Sequence, residues 1–240
     1  MLRDHKLDRT LTSTLPPLDR TDPAARLPTD IAALDACLNG GLPRGHLSEI
    51  AGPRSSGRTT LLLQLIAAVT RRGEIAAFVD TFDQLDVASA LAMDVDVSRL
   101  LWVRGQAVTD GPLMGPFERA VDRALKALNL VLQAGGFGLV ALDLADVPPA
   151  ALRRIPYSTW LRVQRAIEGS DTACVLVTPD PLARSAGGLT LTLGGRMQWA
   201  GDSSRSRRVA GLDVSVRVAS PRRRERQMEG ETHVRCGVRG

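Results

Sequence analysis

The segment GPRSSGRT, from Gly52 to Thr59, combines glycine, hydroxyl and cationic residues at a spacing that suits phosphate chemistry. It follows the pattern G-x-x-x-x-G-K-[ST] at every fixed position except one, because Arg58 stands where that pattern has Lys. Glycines at both ends let backbone N–H groups point inward at phosphate oxygens, and a helix that follows adds its N-terminal dipole. A Gly-Ser turn without function is the alternative. We predict a nucleotide-binding loop formed by Gly52, Pro53, Arg54, Ser55, Ser56, Gly57, Arg58, Thr59 and Thr60.

Two oxygen-bearing side chains are candidates for holding Mg²⁺ beside that loop. Thr59 offers a hydroxyl at the end of the motif. Asp143 ends the apolar run GLVALD, and in folds of this kind a carboxylate at the end of a neighbouring strand helps to hold the metal. A capping or turn role for Asp143 is the alternative. We predict Mg²⁺ ligation by Thr59 and Asp143.

The positive charge of the chain is concentrated near its end. The formal net charge is +5, and the segment 200–240 alone holds ten Arg against five Asp or Glu. Such a segment favours an anionic partner such as nucleic acid, although a solvated tail or docking on an acidic protein surface would account for the same residues. Trp199 is the one aromatic residue among them, so we expect phosphate contacts, little sequence preference and a steep dependence on salt. The candidate DNA-binding residues are Arg184, Arg196, Arg205, Arg207, Arg208, Arg222, Arg223 and Arg224, with Arg226 beside them.

Composition argues against several classes of protein. Apolar residues make up 44% of the 240 residues, enough for a sizeable core. No run of eighteen apolar residues occurs, so no membrane span is expected, and the charged first twenty residues lack the apolar segment of a secretory signal. Cys37, Cys174 and Cys236 lack the spacing of a zinc site or a disulfide framework. We expect a cytoplasmic, nucleoid-associated protein with reduced thiols.

Apolar runs and helical patterns alternate along the chain. Strands are predicted at HLSEIAG, Ile75–Asp80, Arg99–Gly105, FGLVALDLADV and TACVLVTPD, with helices between them. This alternation predicts an α/β fold, a mainly parallel sheet with helices on both faces. Beyond Gly187, GLTLTLGGRMQWAG and LDVSVRVAS alternate apolar and polar residues, which predicts antiparallel edge strands. We divide the chain into an N-terminal arm (1–26), a core (27–219) and a basic C-terminal tail (220–240).

The segment LPTDIAALDACLNGGLPRGHLSEIAGPRSSGRTTLLLQLIAA resembles the opening of the RecA recombinase ATPase core. Leu34 and Asp35, the segment Gly40–Gly45 and the segment Gly52–Thr60 match that family's pattern position by position, and the likeness extends over about 27–219. The resemblance implies a RecA-like P-loop NTPase core that uses ATP and Mg²⁺. It also implies self-association through the N-terminal arm, for which a disordered leader is the alternative.

The chain departs from this pattern where hydrolysis would occur. The family's water-activating Glu is expected two residues after Asp80, where this chain has Phe82, and the adjacent Asp83 should point elsewhere on an extended segment. A Gln that senses the third phosphate is expected after the VLVT strand, where Pro179 stands. The following loop, DPLARSA, is shorter than the family's DNA-binding loop. We therefore assign no catalytic residue and expect weak ATP hydrolysis, because general-base assistance contributes about 10²–10⁴-fold.

These departures are similar to those of the ImuA family, the shortened RecA-like proteins of the mutasome. The strand RLLWVRG also resembles that family. That resemblance implies an accessory protein of the SOS response to DNA damage, acting in error-prone translesion synthesis. It implies DNA, a Y-family-like polymerase partner and a replicative polymerase as partners. One alternative is an active DNA-dependent ATPase or recombination mediator, which DNA-stimulated turnover would reveal. Another is a protein-interaction adaptor in which the loop is vestigial.

Overall fold

The computed structural model describes residues 25–105, 115–183, 188–202 and 205–219, together with the backbone of 230–237. The strands are β1 (Arg26–Leu27), β2 (Leu42–Pro43), β3 (Leu47–Ala51), β4 (Ala76–Asp80), β5 (Leu100–Arg104), β6 (Leu139–Asp143), β7 (Ala173–Thr178), β8 (Thr190–Ala200), β9 (Arg208–Ala219) and β10 (Gly230–Gly237). The helices are α1 (Ala32–Cys37), α2 (Arg58–Arg71), α3 (Val87–Ala92), α4 (Pro116–Ala134), α5 (Pro149–Leu152) and α6 (Tyr157–Ile167), and a 3-10 turn covers Val97–Arg99. No helix within the described ranges is long and apolar enough to cross a membrane.

Within the described ranges, the main sheet has eight strands in the order β10-β9-β8-β3-β7-β6-β4-β5. The neighbouring strands β3, β7, β6, β4 and β5 pair in parallel, and β8 joins β3 in parallel as well. β9 and β10 then extend the sheet in the antiparallel sense. The predicted α/β architecture, a mainly parallel sheet with antiparallel edge strands, is confirmed. β1 and β2 form a separate antiparallel pair.

Helices cover both faces of the parallel strands, because successive residues of a strand point to opposite sides of the sheet. On one side Ile66 of α2 is buried in a cluster that includes Phe78 of β4. On the other side Leu128 of α4 is buried in a second cluster that includes Val79, the next residue of β4. The sheet is therefore enclosed on both faces, as its near-continuous apolar strands require.

Helix α2 lies in the centre of this packing. It begins directly after Gly57, whose φ is 93°, and its residues from Leu61 to Val69 are buried with the exception of Gln64, which is partly buried. Arg71 occupies its last turn, and Gly73 follows with a φ of 82°, as the sequence predicts for the helix end. The buried helix fixes the position of the loop that precedes it.

Besides the pair of β1 and β2, two parts of the described fold were not predicted. The short helix α5 is held by burial of Ala151 and Leu152, a tertiary effect that a four-residue pattern does not reveal. Strand β10 lies inside the segment 220–240, which we expected to be a basic tail, and its backbone pairs with β9 from Gly230↔Val218 to Gly237↔Gly211. Of the predicted N-terminal arm, only residues 25 and 26 lie within the described ranges.

Candidate nucleotide site and basic hairpin

The candidate nucleotide site is the loop between β3 and α2. Ser55 has a φ of 60° and Gly57 a φ of 93°, so the chain makes a tight turn before it enters the helix. Pro53, Arg54 and Ser55 are exposed, whereas Ser56 is buried and its Oγ has no hydrogen-bond partner among the described residues. The first turn of a helix leaves backbone N–H groups without intrahelical acceptors. The loop thus combines a tight turn, exposed at residues 53 to 55, with the N-terminus of a fourteen-residue helix.

Close contacts between the hairpin of β8 and β9 and this loop explain its glycines. A Cβ on Gly52 would lie 2.6 Å from the carbonyl oxygen of Leu193, and a Cβ on Gly57 would lie 2.9 Å from Cγ2 of Val214. On the hairpin side, a Cβ on Gly195 would lie 2.4 Å from the carbonyl oxygen of Ser55. Cβ atoms do not tolerate contacts under 3.0 Å. The loop and the hairpin therefore fit together only because glycine occupies each of these positions.

Arg58 does not extend into solvent but points into the protein. Its side chain is 8% exposed, and one terminal guanidinium nitrogen donates to the carbonyl oxygens of Thr178 at 3.1 Å and Ala145 at 3.5 Å. Loss of hydration lowers the pKa of Arg58, and the nearby carboxylate of Asp143 acts in the opposite direction. The guanidinium therefore bridges the carboxyl ends of β7 and β6. Thr178 is shared, because its carbonyl oxygen also accepts from the N–H of Gly52 at 3.3 Å.

The predicted metal ligands lie at this same edge of the sheet. Thr59 is exposed in the first turn of α2, with the partly buried Thr60 beside it. Asp143 is partly buried and accepts from the N–H of Ala145 at 2.8 Å. Loss of hydration raises the pKa of Asp143 to about 6, with a further contribution from Asp80, its register partner on β4. No cluster of three or more His, Cys, Asp or Glu occurs in the described residues, and Mg²⁺ needs only one or two carboxylates beside phosphate and water.

The end of β4 carries no free acid–base group in the described residues. The ring of Phe82 packs edge-on against Phe117, with 5.9 Å between centroids and 83° between planes. Asp83 has a φ of 59° and accepts two hydrogen bonds of 2.7 Å from Arg104, which lower its pKa. The guanidinium of Arg104 lies 4.5 Å above the ring of Trp102. The side chains after β4 are thus engaged by neighbouring elements, Phe82 by α4 and Asp83 by β5.

Glu49, on the strand that leads into the loop, was not predicted from the sequence as a residue of the site. It is 2% exposed on β3, and its carboxylate accepts from the hydroxyl of Thr178 at 3.0 Å and from the N–H groups of Leu182 and Ala183 at 2.7 and 3.3 Å. Burial raises the pKa of Glu49, and these three hydrogen bonds counteract that shift. The carboxylate fixes the segment that follows β7, which includes Pro179. An acidic residue inside the apolar run LSEIA was the available signal.

The described candidate DNA-binding residues gather on the outer part of the hairpin of β8 and β9. Arg196 lies on β8, Arg205 and Arg207 lie in the turn, and Arg208 begins β9, and all four are exposed. Trp199 is 53% exposed between them. Arg184, Arg222, Arg223, Arg224 and Arg226 lie outside the described residues. The fold therefore places four of the predicted cations on one hairpin.

Known proteins match part of the chain. Protein RecA of Clavibacter michiganensis is 40% identical over 135 residues, which are 55% of this chain and 34% of that protein. Protein RecA of Prochlorococcus marinus strain MIT 9303 is 50% identical over 74 residues, which are 31% of this chain and 20% of that protein. The chain thus covers about a third or less of the length of these curated relatives. The family model of the RecA N-terminal domain matches residues 19–144, just over half of the chain, and the chain therefore belongs to the RecA N-terminal domain family.

Proposed function

We propose that this chain is a RecA-like nucleotide- and DNA-binding accessory protein of the DNA damage response, acting in error-prone translesion synthesis with weak ATP hydrolysis. One observation carries the proposal. The glycine-dependent loop at the start of α2 keeps a tight turn, while the residues after β4 are a phenylalanine packed against Phe117 and an aspartate bound to Arg104. We therefore expect the chain to bind a nucleotide but to hydrolyse ATP only weakly.

The residues around the loop fit a magnesium nucleotide. Gly52 to Thr60 would hold the phosphates through backbone N–H groups, and a Cβ at Gly52 or Gly57 would have no room. Thr59 and Asp143 would hold Mg²⁺ with a hydroxyl and a carboxylate, the oxygen ligands that this ion prefers. The ion would supply neutralisation of phosphate charge. The protein's own contribution is to fix the loop between α2 and the hairpin.

Slow hydrolysis follows from the side chains at the end of β4. Phe82 has no group that accepts a proton, and both carboxylate oxygens of Asp83 already accept from Arg104. A positioned general base contributes about 10²–10⁴-fold to such reactions. We expect turnover of ATP to be slow by a factor of that order.

DNA binding is supported by the exposed arginines of the hairpin, which would contact phosphates and position DNA without reading its sequence. The test measures DNA affinity across salt concentrations for the double variant Arg207→Ala/Arg208→Ala. Each lost phosphate contact reduces the slope of log K against log salt by about 0.9 on duplex or about 0.7 on single strands. The matched control is Arg162→Ala/Arg165→Ala, which removes two exposed arginines from α6. Equal slopes for both variants and wild type contradict this role of the hairpin.

The partners we propose are a Y-family-like polymerase and a replicative polymerase, with self-association of the chain and a cytoplasmic, nucleoid-associated location. Two features that resemble the ImuA family support this assignment. One is the strand Arg99–Gly105, and the other is the presence of Phe82 and Pro179 where a catalytic Glu and a phosphate-sensing Gln are expected. Co-purification of the tagged full-length chain with each polymerase after DNA damage is the direct test. Recovery of neither polymerase contradicts the mutasome assignment and leaves nucleotide binding untouched.

An active DNA-dependent ATPase or recombination mediator is the competing function, favoured by the presence of both Thr59 and Asp143. DNA-stimulated turnover separates the two functions. We expect slow turnover in wild type, with little stimulation by DNA. Fast turnover that Arg58→Ala and Asp143→Ala each abolish would establish the competing function instead.

A further inference from the structure

We propose that the nucleotide site recognises the diphosphate part of its ligand and does not discriminate a nucleoside triphosphate from a diphosphate. This inference rests on the proposed nucleotide binding and specifies which phosphates are bound. A triphosphate is distinguished by groups that reach its third phosphate. In this chain the groups at the positions suited to that task are replaced or already engaged by other parts of the protein.

The backbone of the loop provides the first part of the argument. The N–H groups of a glycine-rich loop cradle the α- and β-phosphates, and this contribution depends on backbone conformation rather than on side chains. Gly57 with a φ of 93° and Ser55 with a φ of 60° give the loop its turn. The Oγ of Ser56 is buried beside it without a partner among the described residues. Within the loop, the N–H of Gly52 donates to Thr178 and that of Ser56 to Pro53, each at 3.3 Å. The backbone donors offered to a diphosphate are therefore those of the first turn of α2.

The cation of the motif is the second part. The lysine that the motif normally carries reaches the β- and γ-phosphates. Arg58 instead donates to the carbonyl oxygens of Thr178 at 3.1 Å and Ala145 at 3.5 Å, and only 8% of the residue is exposed. To contact a third phosphate the guanidinium would have to leave both carbonyls. Its rigid, planar form makes it a poor substitute for a flexible ammonium group at such a site.

The neighbouring strand ends are the third part. Pro179, the residue directly after β7, has no N–H to donate and no polar side chain. At the end of β4, Phe82 packs against Phe117, and Asp83 would repel a phosphate rather than bind it. Arg54 is the exposed cation of the loop, and it forms an ion pair of 3.0 Å with Asp146. Exposed ion pairs of this kind exchange readily, so Arg54 requires its own control.

The experiment compares the affinity of the full-length protein for Mg-ADP with that for the magnesium complex of the β,γ-imido analogue of ATP, by titration calorimetry. We expect the two dissociation constants of wild type to agree within about threefold, below the tenfold or more that one hydrogen bond to a charged group contributes. Arg58→Lys should shift the ratio toward the triphosphate by about tenfold, because the ammonium group can reach the third phosphate. The control Arg162→Lys, at an exposed position of α6, should leave the ratio unchanged, and Arg54→Lys measures the contribution of the exposed cation in the loop.

The outcomes separate this inference from the proposed function. Binding of the triphosphate tenfold or more tightly than ADP in wild type overturns the inference and leaves nucleotide binding in place. A ratio that shifts with Arg54→Lys and not with Arg58→Lys overturns the role assigned to Arg58. Binding of neither nucleotide at millimolar concentration overturns the proposed function itself. The wild-type ratio is informative even if the Arg58→Lys variant does not fold.

Discussion

The loop between β3 and α2 and the strand ends opposite it differ in how they use their side chains. In the loop, glycines at 52 and 57 keep the backbone free of side-chain bulk, and the hairpin packs directly on it. After β4, Asp83 is bound to Arg104, and after β7 the N–H groups of Leu182 and Ala183 are bound to Glu49 of β3. The proposed phosphate binding and the proposed weak hydrolysis are thus compatible, because they depend on separate parts of the fold.

Glu49 ties these two regions together and should show the largest effect on stability. Glu49→Ala removes the acceptor of three donors, namely the hydroxyl of Thr178 and the N–H groups of Leu182 and Ala183. Each buried donor without a partner costs about 1–3 kcal/mol, and removal of a buried charge offsets part of that sum. We expect the free energy of unfolding to fall by about 3 kcal/mol in chemical denaturation. Glu49→Gln, which keeps one carbonyl oxygen as acceptor, should lose less than half as much.

The same residue predicts a pH dependence with a defined sign. Burial raises the pKa of Glu49 above its ordinary value of 4.5, so the native state binds the proton more tightly than the unfolded chain does. Its contribution to stability is fully present below pH 4.5 and is lost as pH rises through the raised pKa. Wild type should therefore lose stability relative to Glu49→Gln as pH increases over this range. A difference between the two proteins that stays constant from about pH 4 to 8 contradicts the shift.

Gly195 tests whether the hairpin maintains the loop. A Cβ at this position would lie 2.4 Å from the carbonyl oxygen of Ser55 and 2.8 Å from Cα of Ser56, both backbone atoms. We expect Gly195→Ala to cost about 1–3 kcal/mol of stability and to weaken nucleotide binding by about tenfold or more, because the loop must shift. Calorimetric titration with Mg-ADP measures the second effect.

The matched control lies one residue away on the same strand. A Cβ on Gly194 would approach only the hydroxyl oxygen of Ser215, at 2.7 Å, and that side chain can rotate. Gly194→Ala should therefore leave nucleotide affinity within about twofold of wild type. Equal losses in the two variants would mean that strand β8 tolerates no side chain here, and would remove the argument for a specific contact with the loop.

What the sequence could predict is set by the range of the contacts. The alternation of strands and helices and the glycine spacing of the loop are local patterns, and the sheet, its antiparallel edge and the loop before α2 follow from them. The direction of Arg58 depends on Thr178 and Ala145, which lie 120 and 87 residues away in the chain. The three groups that donate hydrogen bonds to Glu49 likewise lie 129 to 134 residues away in the chain. Long-range contacts of this kind leave little trace in the local pattern.

Asp83 provides the smallest expected effect and the sharpest test of the strand end of β4. If this carboxylate acted as a substitute base, Asp83→Asn would abolish residual ATP turnover. Because both of its oxygens accept from Arg104 at 2.7 Å, we expect turnover to stay within about twofold of wild type. Stability should change little, since the ion pair is largely exposed. Arg104→Ala is the companion variant, because it frees the carboxylate. If Arg104→Ala raises turnover and the added Asp83→Asn cancels that rise, the ion pair restrains a competent base. The residues after β4 would then keep more of the hydrolytic machinery than their pairing indicates.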